Sequence, residues 1–211
     1  MKREDLRLYL VTDRTLAGGR DIRWIVREAV AGGVTMVQLR EKDIDTRDFV
    51  DIAMHLKRIL QPSGVPLIIN DRIDVALASE ADGVHLGQSD MECEIARRIL
   101  GPDKIIGLSV ENMDQVRESC NLPVDYIGIS PVFSTRTKLD TAPPFGYDGT
   151  REAARISSHP TVAIGGINEN NASEVIACGV DGIAVVSAIV SVPRPDAAAR
   201  SLINLMKDGN R

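Results

Sequence analysis

Eight short aliphatic runs recur along the chain, and they constrain its fold more than any other feature: residues 6–11, 35–39, 66–69, 83–86, 104–108, 125–129, 161–164 and 182–185. Polar and apolar residues do not alternate within them. Such continuity fits strands covered on both faces, the pattern of a parallel sheet.

Between the runs lie one-sided helix patterns. Phe49, Ile52, Ala53, Leu56, Ile59 and Leu60 recur at three- and four-residue steps, as do Ile22, Ile25 and Ala29. The junctions AGGVTMVQL, SEADGVHLG and ACGVDGIAVVS each pass from small residues through glycine into an aliphatic run, with glycine expected as the left-handed helix cap. A repeat of roughly 26 residues leaves no long linker in 211 residues. We therefore expect an α/β fold, a single-domain (β/α)8 TIM barrel over residues 1–211. An open doubly wound sheet is the alternative, but neither GxGxxG nor GxxxxGK[ST] occurs.

A net charge of −5 speaks against a nucleic-acid or anionic-membrane surface, so an anionic ligand must be met locally. No apolar segment is long enough to span a bilayer, and MKREDLRLYLVTDR has no signal-peptide core. Cys93, Cys120 and Cys178 are odd in number and scattered, which suits reduced thiols in the cytoplasm, and they form no zinc pattern with the scattered His55, His85 and His159. A homo-oligomer is compatible with the sequence, which does not specify one.

In a barrel of this kind the active face lies at the C-terminal strand ends. The exits carry Gln38, Arg40 and Lys42; Asn70 and Asp71; Gln88 and Asp90; Ser109; Thr135, Thr137 and Lys138; Gly165 and Gly166; Val186 and Ser187. Asp71 and Asp90 leave neighbouring strands and can converge on one hard cation such as Mg2+, or each can cap the helix that follows. Arg40, Lys42 and Lys138 suit an anion of high charge such as pyrophosphate, although a solvated charged turn reads similarly. The Gly165-Gly166 turn and the small eighth exit suit a second, metal-free phosphate. Two phosphorylated small-molecule substrates are implied. His85 reads as a packed or hydrogen-bonded barrel residue.

Assembled, these segments resemble the thiamine-phosphate synthases, also called thiamine-phosphate pyrophosphorylases. The likeness runs through YLVTD at 9–13, QLREKD at 38–43, IINDR at 68–72, DGVHLGQSD at 82–90, GLSV at 107–110, SPVFSTRTK at 130–138, AIGGIN at 163–168 and DGIAVVSAI at 181–189. It implies a Mg2+-dependent transferase that joins hydroxymethylpyrimidine pyrophosphate to a thiazole phosphate, or its carboxylated form, by loss of pyrophosphate and capture by the thiazole nitrogen. It further implies that Gln38, Leu39, Arg40, Glu41, Lys42, Asn70, Ser109 and Lys138 hold the pyrimidine pyrophosphate, with Arg40, Lys42, Ser109 and Lys138 catalytic. Asp71 and Asp90 would hold the metal. Thr135, Arg136, Thr137, Gly165, Gly166, Val186 and Ser187 would take the thiazole phosphate. Ser130 stands where the family usually has glycine. The sister thiazole tautomerases often lack the aspartate found here at 71, and a catalytically silent binding protein would have no need of the clustered charges. The segment from Phe133 to Gly149 is expected to form a lid.

Overall fold

The computed structural model describes residues 1–134 and 142–208, with backbone alone at 207 and 208. Eight parallel strands close a barrel in chain order: β1 (Leu8–Val11), β2 (Met36–Leu39), β3 (Leu67–Asn70), β4 (Gly83–Leu86), β5 (Ile105–Val110), β6 (Tyr126–Ile129), β7 (Thr161–Ile164) and β8 (Gly182–Val185). The helices between them are α1 (Ile22–Gly32), α2 (Thr46–Leu60), α3 (Ile73–Ala78), α4 (Cys93–Leu100), α5 (Met113–Ser119), α6 (Gly146–Ile156) and α7 (Ala172–Ile176). A short α8 (Ser187–Val190) and a long α9 (Pro195–Asp208) follow β8. Among the described residues no helix is long and apolar enough to cross a membrane.

Side chains alternate across each strand, so the barrel wall divides two apolar layers. Leu8, Leu10, Val37, Leu39, Leu67 and Ile69 pack outward against the helices. Tyr9, Val11, Met36, Ile68, Tyr126 and Val162 belong to the layer that fills the barrel. Both layers exclude water, which is why the strands read as unbroken aliphatic runs. The inner layer is fitted large against small: a Cβ on Gly107 would lie 2.1 Å from Cζ of Tyr126, so only glycine there admits the ring.

The N-terminal strand ends carry a repeated device. The residue before each even-numbered strand donates its N–H to the first residues of the preceding odd strand and accepts an N–H from it through its side chain. Thr35 does this with Leu8, Asp82 with Leu67, Asp125 with Ile106 and Asp181 with Thr161, the four side-chain contacts being 2.8–2.9 Å. Each aspartate also pairs with a base: Lys57, Arg97 and Arg3 respectively. Strand register is thus pinned four times at the bottom of the barrel.

Glycine closes two of the three quoted junctions as expected, with Gly33 at φ 113° and Gly179 at φ 93°. The third departs from expectation. In SEADGVHLG the left-handed residue is Glu80, at φ 55°, and Gly83 begins β4, where a Cβ would lie 2.0 Å from the Ile105 carbonyl oxygen. That glycine is set by backbone approach rather than by capping.

Candidate active site

A cavity of about 490 Å3 opens at the C-terminal ends of the strands, a size suited to small-molecule ligands. Gln38, Arg40 and Lys42 line it; Leu39 and Glu41 do not. The two-residue strand period explains the split. Leu39 is packed among the helices, and Glu41 accepts a bidentate pair from Arg14 at 2.8 and 3.0 Å. The expected binding stretch 38–42 thus presents alternate side chains to the cavity, those of Leu39 and Glu41 standing outside its lining. The backbone N–H of Arg40 donates to Thr12 Oγ1 at 3.0 Å, and its guanidinium lies 3.4 Å from Asp13.

Asp71 and Asp90 come together on the cavity wall. Burial lifts the Asp90 carboxyl above its ordinary range, and the neighbouring Asp71 carboxyl adds to the rise, while the Gly87 N–H, donating at 2.7 Å, opposes it. Asp71 holds a left-handed backbone at φ 60°, a conformation Asp tolerates better than most residues. Its N–H donates to the His85 carbonyl at 2.9 Å, and its carboxylate receives the Lys42 ammonium at 2.5 Å. Neither aspartate caps a helix, since α3 begins after Arg72 and α4 after Glu92. Between them in chemistry sits Asn70, whose buried Nδ2 has no hydrogen-bond partner among the described residues.

Ser109, Gly165, Gly166, Val186 and Ser187 line the same cavity. Gly165 and Gly166 both take positive φ, 107° and 68°, and a Cβ on either would lie under 3 Å from Pro131 or Phe133. The Gly166 carbonyl is fixed by Nδ2 of Asn171 at 3.0 Å. The resulting bare backbone beside α8 can accept close approach of an anion. Thr135, Arg136, Thr137 and Lys138, with part of the expected lid, lie outside the described residues.

The cavity floor holds a chain of hydrogen bonds absent from our sequence reading. Gln38 Nε2 donates to Tyr9 Oη at 2.8 Å, Tyr9 Oη meets Tyr126 Oη at 2.9 Å, Tyr126 Oη meets His85 Nδ1 at 2.9 Å, and His85 Nε2 meets Ser109 Oγ at 2.9 Å. Tyr9 and Tyr126 lie inside the aliphatic runs 6–11 and 125–129, and the only signal available there is two phenols in a chain with three tyrosines in all. His85 is hydrogen-bonded at both ring nitrogens, in keeping with its expected place in the barrel.

No group of three or more His, Cys, Asp or Glu side chains is gathered as a closed metal site among the described residues. The donor set at Asp71 and Asp90 is oxygen-only and carries mutual repulsion that a hard cation would relieve, so it fits Mg2+, which commonly takes one or two carboxylates and completes its shell with water and phosphate.

Residues 8–189 match the family model described as "Thiamine monophosphate synthase". A thiamine-phosphate synthase of Albidiferax ferrireducens is 56% identical over 201 residues, covering 95% of this chain and 92% of that protein. One from Vibrio parahaemolyticus is 54% identical, covering 95% of this chain and 98% of its own. The solved thiamine phosphate pyrophosphorylase of Pyrococcus furiosus superposes with a TM-score of 0.91 at 38% identity, covering 98% of both chains.

Proposed function

The chain belongs to the thiamine monophosphate synthase family, and on that premise we propose that it is a transferase of thiamine biosynthesis that joins hydroxymethylpyrimidine diphosphate to a thiazole phosphate, or its carboxylated form, with Mg2+ as cofactor. The observation that carries this reading is the meeting of Asp71 and Asp90, with Lys42 bonded to Asp71 and Arg40 on the same wall. A carboxylate pair next to cations in an acidic protein suits a diphosphate taken up together with a divalent cation, which Asp71 and Asp90 would hold. The Gly165-Gly166 turn and Ser187, on the same cavity, suit the second phosphate.

In this reading the pyrimidine C–O bond breaks as diphosphate leaves, the electron-rich aminopyrimidine stabilises the resulting cation, and the thiazole nitrogen captures it. No protein nucleophile is needed. When held by Asp71 and Asp90, Mg2+ supplies charge neutralisation at the departing diphosphate. Arg40 and Lys42 add cationic donors, each preorganised donor typically being worth roughly 2.7–4 kcal/mol of barrier. Asn70 offers its spare buried N–H to a ligand oxygen. Gln38 and Ser109 face the pyrimidine pole, and Gly165, Gly166, Val186 and Ser187 the thiazole phosphate. Lys138 keeps the diphosphate role, and Thr135, Arg136 and Thr137 the thiazole phosphate role, that the family resemblance gives them. The reaction is assigned to the cytoplasm, a setting that keeps free thiols such as Cys93 and Cys178 reduced.

A coupled assay for thiamine phosphate, run with Mg2+ and with chelator, tests the reading. Asp71→Ala and Asp90→Ala should each lower turnover roughly 10²–10³-fold and require more Mg2+ for half-maximal rate, while their thermal unfolding stays cooperative. Full activity of both variants in chelator would remove the metal assignment, and product formed without the pyrimidine diphosphate would remove the reaction.

A further inference from the structure

The hydrogen-bond chain under the cavity has a direction, and that direction fixes which groups at its two ends offer protons to a ligand. Burial raises both phenols, Tyr9 and Tyr126, well above their ordinary range, so each keeps its single proton at neutral pH. Tyr9 Oη accepts from Gln38 Nε2 and has its own proton left to give. Its other hydroxyl partner is Tyr126 Oη, at 2.9 Å. Tyr126, having accepted from Tyr9, gives its proton to His85 Nδ1. A neutral imidazole that accepts at Nδ1 carries its proton on Nε2 and therefore donates to Ser109 Oγ. Ser109, having accepted from the ring, has its hydroxyl proton free for the cavity that it lines.

We propose that Tyr9 and Tyr126 are positioning residues: they transmit the orientation of the Gln38 amide across the barrel, hold His85 as its Nε2–H tautomer, and so present Ser109 to the ligand as a hydrogen-bond donor. Its partner is then an acceptor atom, a heteroaromatic ring nitrogen or a phosphate oxygen, and the remaining Gln38 carbonyl oxygen, at the other end, suits an amino group. The ligand side of this statement rests on the aminopyrimidine reading above; the tautomer does not.

The barrel is built to keep this chain in place. Gly107 pairs with Tyr126 in the register of β5 and β6, and a Cβ there would overlap the phenol ring. Gly128, opposite His85, would bring a Cβ to 3.2 Å from the imidazole Cε1. The Tyr9 and Tyr126 rings meet edge-to-face, with centroids 6.0 Å apart.

The test is 15N NMR of histidine-labelled ligand-free protein with neutral imidazoles, the signals of the three histidines being separated with His55→Gln and His159→Gln variants. A single Nε2–H tautomer is expected at His85. Gln38→Glu supplies an acceptor at the head of the chain, so every bond should reverse and the ring should become Nδ1–H. Tyr126→Phe should leave a mixture of tautomers and lower kcat roughly tenfold, the cost of one unmet buried hydrogen bond, with the KM for thiazole phosphate nearly unchanged. An Nδ1–H ring in the parent, or an Nε2–H ring that persists unmixed in either variant, overturns the proposal. Because the spectra need no substrate, they can fail without touching the assigned reaction, and the reaction can fail without touching them.

Discussion

Asp90 carries a cost that the fold tolerates. Its carboxyl is desolvated and sits beside Asp71, so its folded-state value is raised. A carboxyl raised on folding binds protons more tightly in the native state, so stability falls as pH climbs through the window that begins near the ordinary value of about 3.9 and ends at the folded value. Above that window the full cost is present. Asp90→Asn removes the charge and keeps an oxygen for the Gly87 N–H. In chelator, urea melts should therefore place the Asn variant above the parent at pH 7, with the difference closing below about pH 4. An equal midpoint at both pH values would show that the pair is relaxed by solvent. Asp90 could be singled out from sequence because it follows an aliphatic run at the C-terminal end of a strand, in the short polar stretch after Leu86. Tyr9 and Tyr126 could not, since a phenol in such a run looks like any other large core residue until its hydroxyl partners are known. Asp13 was missed for another reason: an acidic residue after the first strand shows no partner until Arg40 is seen beside it.

At the scale of elements, the aliphatic runs located all eight strands of the barrel, and three of them, at 83–86, 161–164 and 182–185, without error. Five runs begin one or two residues ahead of their strands, and two of them also stop short at the functional end. β3 runs on to Asn70 and β5 to Val110, beyond the expected 69 and 108, because ladder pairing continues through residues whose side chains have turned polar to serve the cavity. A hydrophobic pattern stops where function begins, before the backbone pairing does. Helix packing is less legible still. α1 and α9 are far apart in sequence, and their closeness depends on Gly32, where a Cβ would lie 2.3 Å from the Asp196 carbonyl oxygen and 2.7 Å from the Ala199 Cβ. Gly32→Ala raises intrinsic helix propensity by about 0.5–1 kcal/mol, whereas overpacking against a backbone carbonyl that no rotamer can relieve costs about 1–3 kcal/mol or more. The clash should win. We expect a net loss of about 1–2 kcal/mol from these two terms, read as a lower urea midpoint; a gain in stability would mean that α9 slides on α1 without penalty.

Across the whole molecule, stability and chemistry occupy opposite ends of the barrel. The side chains of Thr35, Asp82, Asp125 and Asp181 fix alternate strand pairs at the bottom, whereas Lys42, Asp71, Asp90 and Ser109 line the cavity at the top. A strand of four residues separates the two rims by roughly 13 Å, far enough for local changes at one end to add independently of the other. Asp125→Ala tests this division. It deletes the acceptor for the Ile106 N–H at 2.8 Å and for the Arg97 guanidinium at 2.7 Å, while Arg97 retains carbonyl partners at Pro123, Gly101 and Lys104. The unmet N–H should dominate, costing about 1–3 kcal/mol of stability, with turnover per folded molecule unchanged because the top rim keeps its register through β5's remaining pairs with β4 and β6. Asp82→Ala and Asp181→Ala should behave alike, since the same contact recurs. If Asp125→Ala instead lowered kcat in proportion to its loss of stability, the barrel would transmit strain along its strands, and the bottom staples would belong to the catalytic apparatus as much as to the fold.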